Sequence, residues 1–222
     1  MKNPLQSNKQ ILKVSNFQEL VSIPFKGDLN AICWNRKLIG DFSEIIQKVE
    51  FNENMVEITQ EELLGLELSP QGQLAREILI NDMILLKEHG ASPVLNIIQN
   101  YERDESYPFF PTDVYSFHVD RSPIPSATFL CTYFGESSEI IPNSEATQKV
   151  LIPEVRDELK KLHGGKEEGF EEFLSEYFFD LHYQANPDAI PISLGIGNLW
   201  KLAIDHPESD VLPCLHRAPK EK

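Results

Sequence analysis

No stretch of this 222-residue chain comes near the roughly 18 consecutive apolar residues that a membrane span requires, and Met1 to Gln10 holds no apolar core of an export signal. The expectation is a soluble, cytoplasmic protein with no membrane partner. Basic side chains are also scarce. Lys and Arg number 20 against 35 Asp and Glu, a net charge of −15, so the average surface repels phosphate backbones and nucleic acid is not an expected partner. Cysteine is limited to Cys33, Cys131 and Cys214, an odd and widely spaced set. That excludes both a disulfide framework and the paired short spacings of a structural zinc site, and leaves three free thiols expected to be buried as small hydrophobes. The stretch Leu194-Gly-Ile-Gly-Asn198 lacks the third glycine of a dinucleotide loop and reads as a turn. No Gly-X-Ser-X-Gly elbow and no internal repeat is present.

What is there is enough apolar material, 41% of residues, for a sizeable core. Residues 1–92 are expected to be mainly helical after a short strand, Asn30 to Trp34. Asp41-Phe-Ser-Glu44 has the form of a capping box ahead of Phe42, Ile45, Ile46 and Val49 at helical spacing. Ser69-Pro70 is an N-cap followed by proline at the first helical position, and Leu74, Ile78, Leu85 and Leu86 carry that helix to Gly90. From Pro93 the composition turns to strand, through Pro93–Ile98, Val114–Asp120 and Ala127–Phe134. A helical insert is expected at about 143–186, with Glu154 to Leu162 and Glu168 to Leu181 separated by Gly164-Gly165. Three short strands follow: Ile190 to Ile196, Asn198 to Ile204 and Val211 to Arg217.

Chemistry concentrates in Val114-Tyr-Ser-Phe-His-Val-Asp120. On a strand His118 and Asp120, two apart, point the same way, which sets an imidazole beside a carboxylate. A divalent ion such as Fe(II) is held by such a pair when a second imidazole completes three ligands on one face. His216, on the late strand around Cys214-Leu-His-Arg, is the best candidate for that third ligand. His206, in the turn-like Asp205-His-Pro, ranks second. His89 belongs to the last turn of the long helix, where a cation complements the dipole, and His163 and His182 read as solvated surface of the insert.

The run Phe117-His-Val-Asp-Arg-Ser-Pro-Ile-Pro-Ser-Ala-Thr-Phe-Leu-Cys-Thr-Tyr-Phe-Gly135, with Gly197-Asn-Leu-Trp-Lys-Leu202 and Leu215-His-Arg-Ala-Pro219, resembles the double-stranded β-helix oxygenases that use Fe(II) and 2-oxoglutarate. Together with Asn30-Ala-Ile-Cys-Trp-Asn-Arg36, these runs look more narrowly like an uncharacterised bacterial family, a domain of unknown function. The resemblance implies an α+β fold with a jelly-roll or cupin-like core over 93–222, on which residues 1–92 pack. It implies His118, Asp120 and His216 as catalytic metal ligands, Fe(II) as the metal, 2-oxoglutarate as co-substrate, and Tyr133 as a hydrogen-bond donor to that co-substrate. The oxygenases commonly carry a basic residue about one strand beyond the distal histidine, and this sequence stops six residues after His216. The expectation is that this strand is absent or the gene product shortened, with Arg217, Lys201 or Arg121 as candidates to hold the far carboxylate instead. Arg217, adjacent to His216, should face the other way on a regular strand.

The expected activity is hydroxylation of a small-molecule or protein substrate by an Fe(II)-dependent dioxygenase. The alternatives are a non-catalytic metal-binding β-barrel, such as a sensor or degenerate oxygenase, and an interaction protein that docks a basic partner on its acidic insert, Glu154 to Glu176.

Overall fold

A computed structural model describes residues 9–50 and 53–219. Its strands are β1 (Ile11–Val14), β2 (Ala31–Trp34), β3 (Met55–Glu57), β4 (Asn96–Ile98), β5 (Phe117–His118), β6 (Ala127–Leu130), β7 (Glu139–Ile141), β8 (Ala146–Gln148), β9 (His182–Ala185), β10 (Ile192–Ser193), β11 (Leu199–Ala203) and β12 (Leu215–Arg217). Its helices are α1 (Phe17–Ser22), α2 (Phe42–Lys48), α3 (Gln60–Gly65), α4 (Pro70–Glu88), α5 (Pro153–Leu162) and α6 (Phe170–Glu176). No described helix is long and apolar enough to cross a membrane.

Two sheets pack face to face. One runs β1-β2-β11-β6, antiparallel apart from the β1–β2 pair, and the other runs β10-β7-β12-β5-β9-β8, antiparallel throughout. Ala31, Cys33, Trp200 and Leu202 of the first sheet meet Ile140 of the second, with Leu194 and Cys214 flanking its strands β10 and β12, in a buried core. Removing such side chains from water is worth about 1.5–3 kcal/mol apiece for the larger ones. The result is an α+β fold around a curled, jelly-roll-like partial barrel. Strands β1 and β2, from the first 92 residues, belong to the sandwich itself, whereas α2, α3 and α4 pack with the β3–β4 ribbon on its outer face.

The longest helix starts and stops where its sequence dictates. The Ser69 hydroxyl accepts from the Gly72 N–H, Pro70 needs no partner at the first turn, and Gly90 leaves the helix at φ +93°. At Asp41 half of the expected capping box forms. Asp41 accepts from the N–H groups of Ser43 and Glu44, but the Glu44 carboxylate accepts instead from Ser69 N–H and Oγ at 2.8 and 2.5 Å. One side chain thus fastens α2 to the start of α4.

The insert differs from its sequence expectation. Its second helix stops at Glu176, because Phe178 takes a left-handed conformation, φ +60°, and a short 3-10 turn then leads into β9. β8 and β9, both inside the expected helical insert, are strands of the second sheet.

Candidate metal centre

Register places the site. Ile140 on β7 is paired with His216 on β12, His216 with His118 on β5, and His118 with His182 on β9. Residues directly opposite across antiparallel strands share a face. Because Ile140 belongs to the buried core between the sheets, the three histidines face inward in one row. Asp120, two residues beyond His118, returns to the same side. One ligand atom each from His118, Asp120 and His216 falls within 4.8 Å of the others.

The rings are fixed for coordination. His118 Nδ1 lies 2.8 Å from the Ser116 carbonyl and His216 Nδ1 3.3 Å from the Cys214 carbonyl. A carbonyl only accepts, so Nδ1 carries the proton in each neutral ring and Nε2 presents its lone pair. Burial lowers the His118 pKa, and the neighbouring His216 pushes it the same way, which favours the neutral, ligating form. The Thr128 hydroxyl, on β6 of the opposite sheet, donates to Asp120 Oδ2, and that oxygen stands 3.6 Å from His216 Nε2. Two oriented imidazoles and one oriented carboxylate on one side of a cleft suit a divalent ion of the Fe(II), Mn(II) or Zn(II) kind.

The structure does not bring Tyr133 to this centre. On β6 and its continuation Thr128 and Leu130 face inward, so Tyr133 falls on the outer face, where its ring stacks on Phe42 and its hydroxyl donates to Asp82 at 2.7 Å. Asp82, 1% exposed, is also paired with both terminal nitrogens of Arg36. Tyr133 therefore belongs to a buried tie between α4 and the sheet.

Arg217 is also directed away, across the Phe117 ring to Glu139 at 2.6 and 2.9 Å, as its position next to His216 requires. Lys201 donates to the carbonyls of Val21 and Ile23, and Arg121 pairs with Asp180 and Asp205. His206 sits in the expected turn, its Nδ1 accepting from the Glu208 N–H.

His182 corrects the sequence expectation most. It is 4% exposed rather than solvated, its ring 5.8 Å from that of His118, and burial lowers its pKa to about 3. Its strand follows a 3-10 turn set off by the αL residue Phe178, which no local rule foretells. The alternation His182-Tyr-Gln-Ala ahead of Pro187 was the available signal. Thr128 was equally hidden, since only the packing of one sheet on the other brings it to Asp120.

The thiols are free, with Cys33 and Cys214 buried and Cys131 half-buried, and burial pushes Cys33 up to about 12 and Cys131 to about 11. None is poised as a nucleophile. Compared with known proteins, the chain matches no family model, no curated protein and no solved structure.

Proposed function

We propose that the chain is an Fe(II)-dependent oxygenase with His118, Asp120 and His216 as the metal ligands. The observation that carries this reading is the donor set: two imidazoles with Nε2 turned away from their backbone partners and one carboxylate, gathered on the inner side of the second sheet. Fe(II) held by these three residues would supply dioxygen chemistry that no side chain provides. The protein's own contribution is to hold both rings in the ligating tautomer through Ser116 and Cys214. It also aims Asp120 through Thr128 and keeps the inner side of the site dry with the Trp200 and Ile140 core. 2-Oxoglutarate as co-substrate rests on the sequence resemblance.

A second reading, a metal-binding β-barrel without catalysis, is favoured by one specific observation. Arg217, Lys201 and Arg121, the cations expected to hold the far carboxylate of the oxo acid, are each engaged elsewhere.

Anaerobic titration of the metal-free protein with Fe(II), with and without 2-oxoglutarate, separates the two. A visible charge-transfer band that needs both, and that His118→Ala abolishes, supports the oxo-acid-dependent oxygenase. Iron uptake with neither a band nor oxygen consumption supports the non-catalytic protein. No iron uptake would sink both.

A further inference from the structure

Along the free edge of the first sheet runs a groove of about 1760 Å³, well beyond the roughly 300–1,000 Å³ of small-molecule sites. Its lining is drawn largely from two runs of chain, 89–101 around β4 and 125–136 around β6. Strand β6 is the last of its sheet. All four of its residues are half-buried, whereas its neighbour β11 is buried at four of five.

Register tells which main-chain groups this edge leaves open. The Ala203 N–H donates to the Asn30 carbonyl, so Leu199, Lys201 and Ala203 turn their main chain to β2, while Trp200 and Leu202 turn theirs to β6. Their partners there are Leu130 and Thr128. Ala127 and Phe129, the alternate residues, therefore point N–H and C=O away from β11, and no described residue pairs with those groups. The β4 side of the groove repeats the pattern. The Leu95 carbonyl accepts from Ile58 and the Gln99 N–H donates to Asn54, which turns the main chain of Asn96 and Ile98 to an edge that no described strand pairs with.

The β6 edge is also unguarded. Open strand edges are ordinarily blunted by charges or prolines, and Ala127–Leu130 has neither. Residues 90–101 and 125–135 hold no charged side chain, although 25% of the chain is charged. Among the described residues Glu136 and Lys201 are the charged members of the lining, one of each sign, and Lys201 is held by the Val21 and Ile23 carbonyls. Val94, Ile98 and Phe134 stand on the same lining at 57%, 36% and 55% exposure. Open main-chain groups beside uncovered apolar side chains are what an added strand uses. In a chain of net charge −15, so neutral a surface selects a neutral guest.

We propose that this groove is a docking site for an extended, uncharged peptide segment of a partner protein, which adds to β6 as a further strand of the first sheet. Its main chain bonds to Ala127 and Phe129, and its alternate apolar side chains cover Val94, Ile98 and Phe134. The docking needs no metal on the triad, so metal-free protein serves for its test.

The probe is an acetylated, amidated peptide of four Thr-Val repeats, titrated into isotope-labelled protein and followed by NMR. Binding is expected to slow amide hydrogen exchange at Ala127 and Phe129, and to leave Thr128 and Leu130, already in the ladder, unchanged. The same peptide methylated at every amide nitrogen keeps its side chains and loses its donors, and is expected to bind at least tenfold weaker. Thr-Glu repeats are expected to do the same. Ala127→Pro removes an outward N–H that takes no part in the ladder, where an edge strand tolerates proline. It is expected to keep the melting temperature and to lose about tenfold in affinity for the Thr-Val peptide. Val94→Lys, at an exposed position, is expected to weaken that peptide several-fold. No binding up to about 1 mM would overturn the assignment. So would equal binding of the methylated peptide, which is apolar adsorption, or affinity unchanged in both Ala127→Pro and Val94→Lys. A dimer in sedimentation that Ala127→Pro dissociates would give the edge to a second copy of the chain and overturn it likewise.

Discussion

Two groups of buried polar side chains lie on opposite faces of the first sheet and do opposite things with their hydrogen-bonding capacity. On the outer face Arg36, Asp82 and Tyr133 close on one another. Both oxygens of Asp82 take a guanidinium nitrogen, one of them also takes the tyrosine hydroxyl, and the Arg36 Nε–H donates to the Gly197 carbonyl at 2.7 Å. On the inner face His118 and His216 use only one nitrogen each, and His182 leaves Nδ1 unmatched. A set that satisfies itself holds a fold together, whereas a set with lone pairs left over is shaped to receive something else.

That contrast can be broken by mutation. His118→Ala should abolish metal uptake, read by equilibrium dialysis against Zn(II), with only a small change in melting temperature. Asp82→Ala should do the reverse. It strands the Arg36 charge in a buried site and is expected to cost about 3–5 kcal/mol of unfolding free energy in denaturant titration, with metal affinity intact in the folded fraction. Loss of metal uptake in Asp82→Ala would erase the distinction between the two groups.

Finer changes sharpen the contrast. Thr128→Val keeps the shape of the residue facing Asp120 but removes its donor, and is expected to weaken metal binding about 10- to 100-fold, as loss of a supporting hydrogen bond does. The smallest effect concerns the loop above the site. The Asp104 carboxyl is held below its usual value chiefly by the Thr112 hydroxyl, with further help from the Ser106 N–H. Its stabilising share is fully present above about pH 3.8, the unperturbed value, and is lost as pH falls through the lower folded value. Melting temperatures measured between pH 5 and 2.5 should therefore fall less steeply in Asp104→Asn than in the parent protein.

How much of this was legible in the sequence depended on how local the cause was. Ser69, Pro70 and Gly90 mark α4 because caps and turns are decided within a few residues. The pairing of His118 with Asp120 was legible from strand alternation alone, and with His216 these residues prove to be neighbours. Tyr133 could not be placed, because alternation along β6 says which residues share a face and not which face looks inward; that is decided by Trp200 and Leu202 on β11, which pair with Leu130 and Thr128. His182 was lost to the turn at Phe178, and Glu44 to a partner 25 positions along the chain. Of the architecture expected from the oxygenase resemblance, a partial barrel and a His/Asp/His triad are present.

The row of paired histidines has a consequence for how the chain matures. His118 and His216 are far apart in sequence and become neighbours only when β12 docks beside β5. A slip of one position in that docking would send His216 to the far side of its sheet and bring Arg217 or Leu215 into its place. An ion held by the triad would thus proofread strand alignment, since only chains whose late strand has seated correctly would retain it. Each tenfold rise in free metal above the dissociation constant would then deepen that one alignment over its misaligned competitors by about 1.4 kcal/mol.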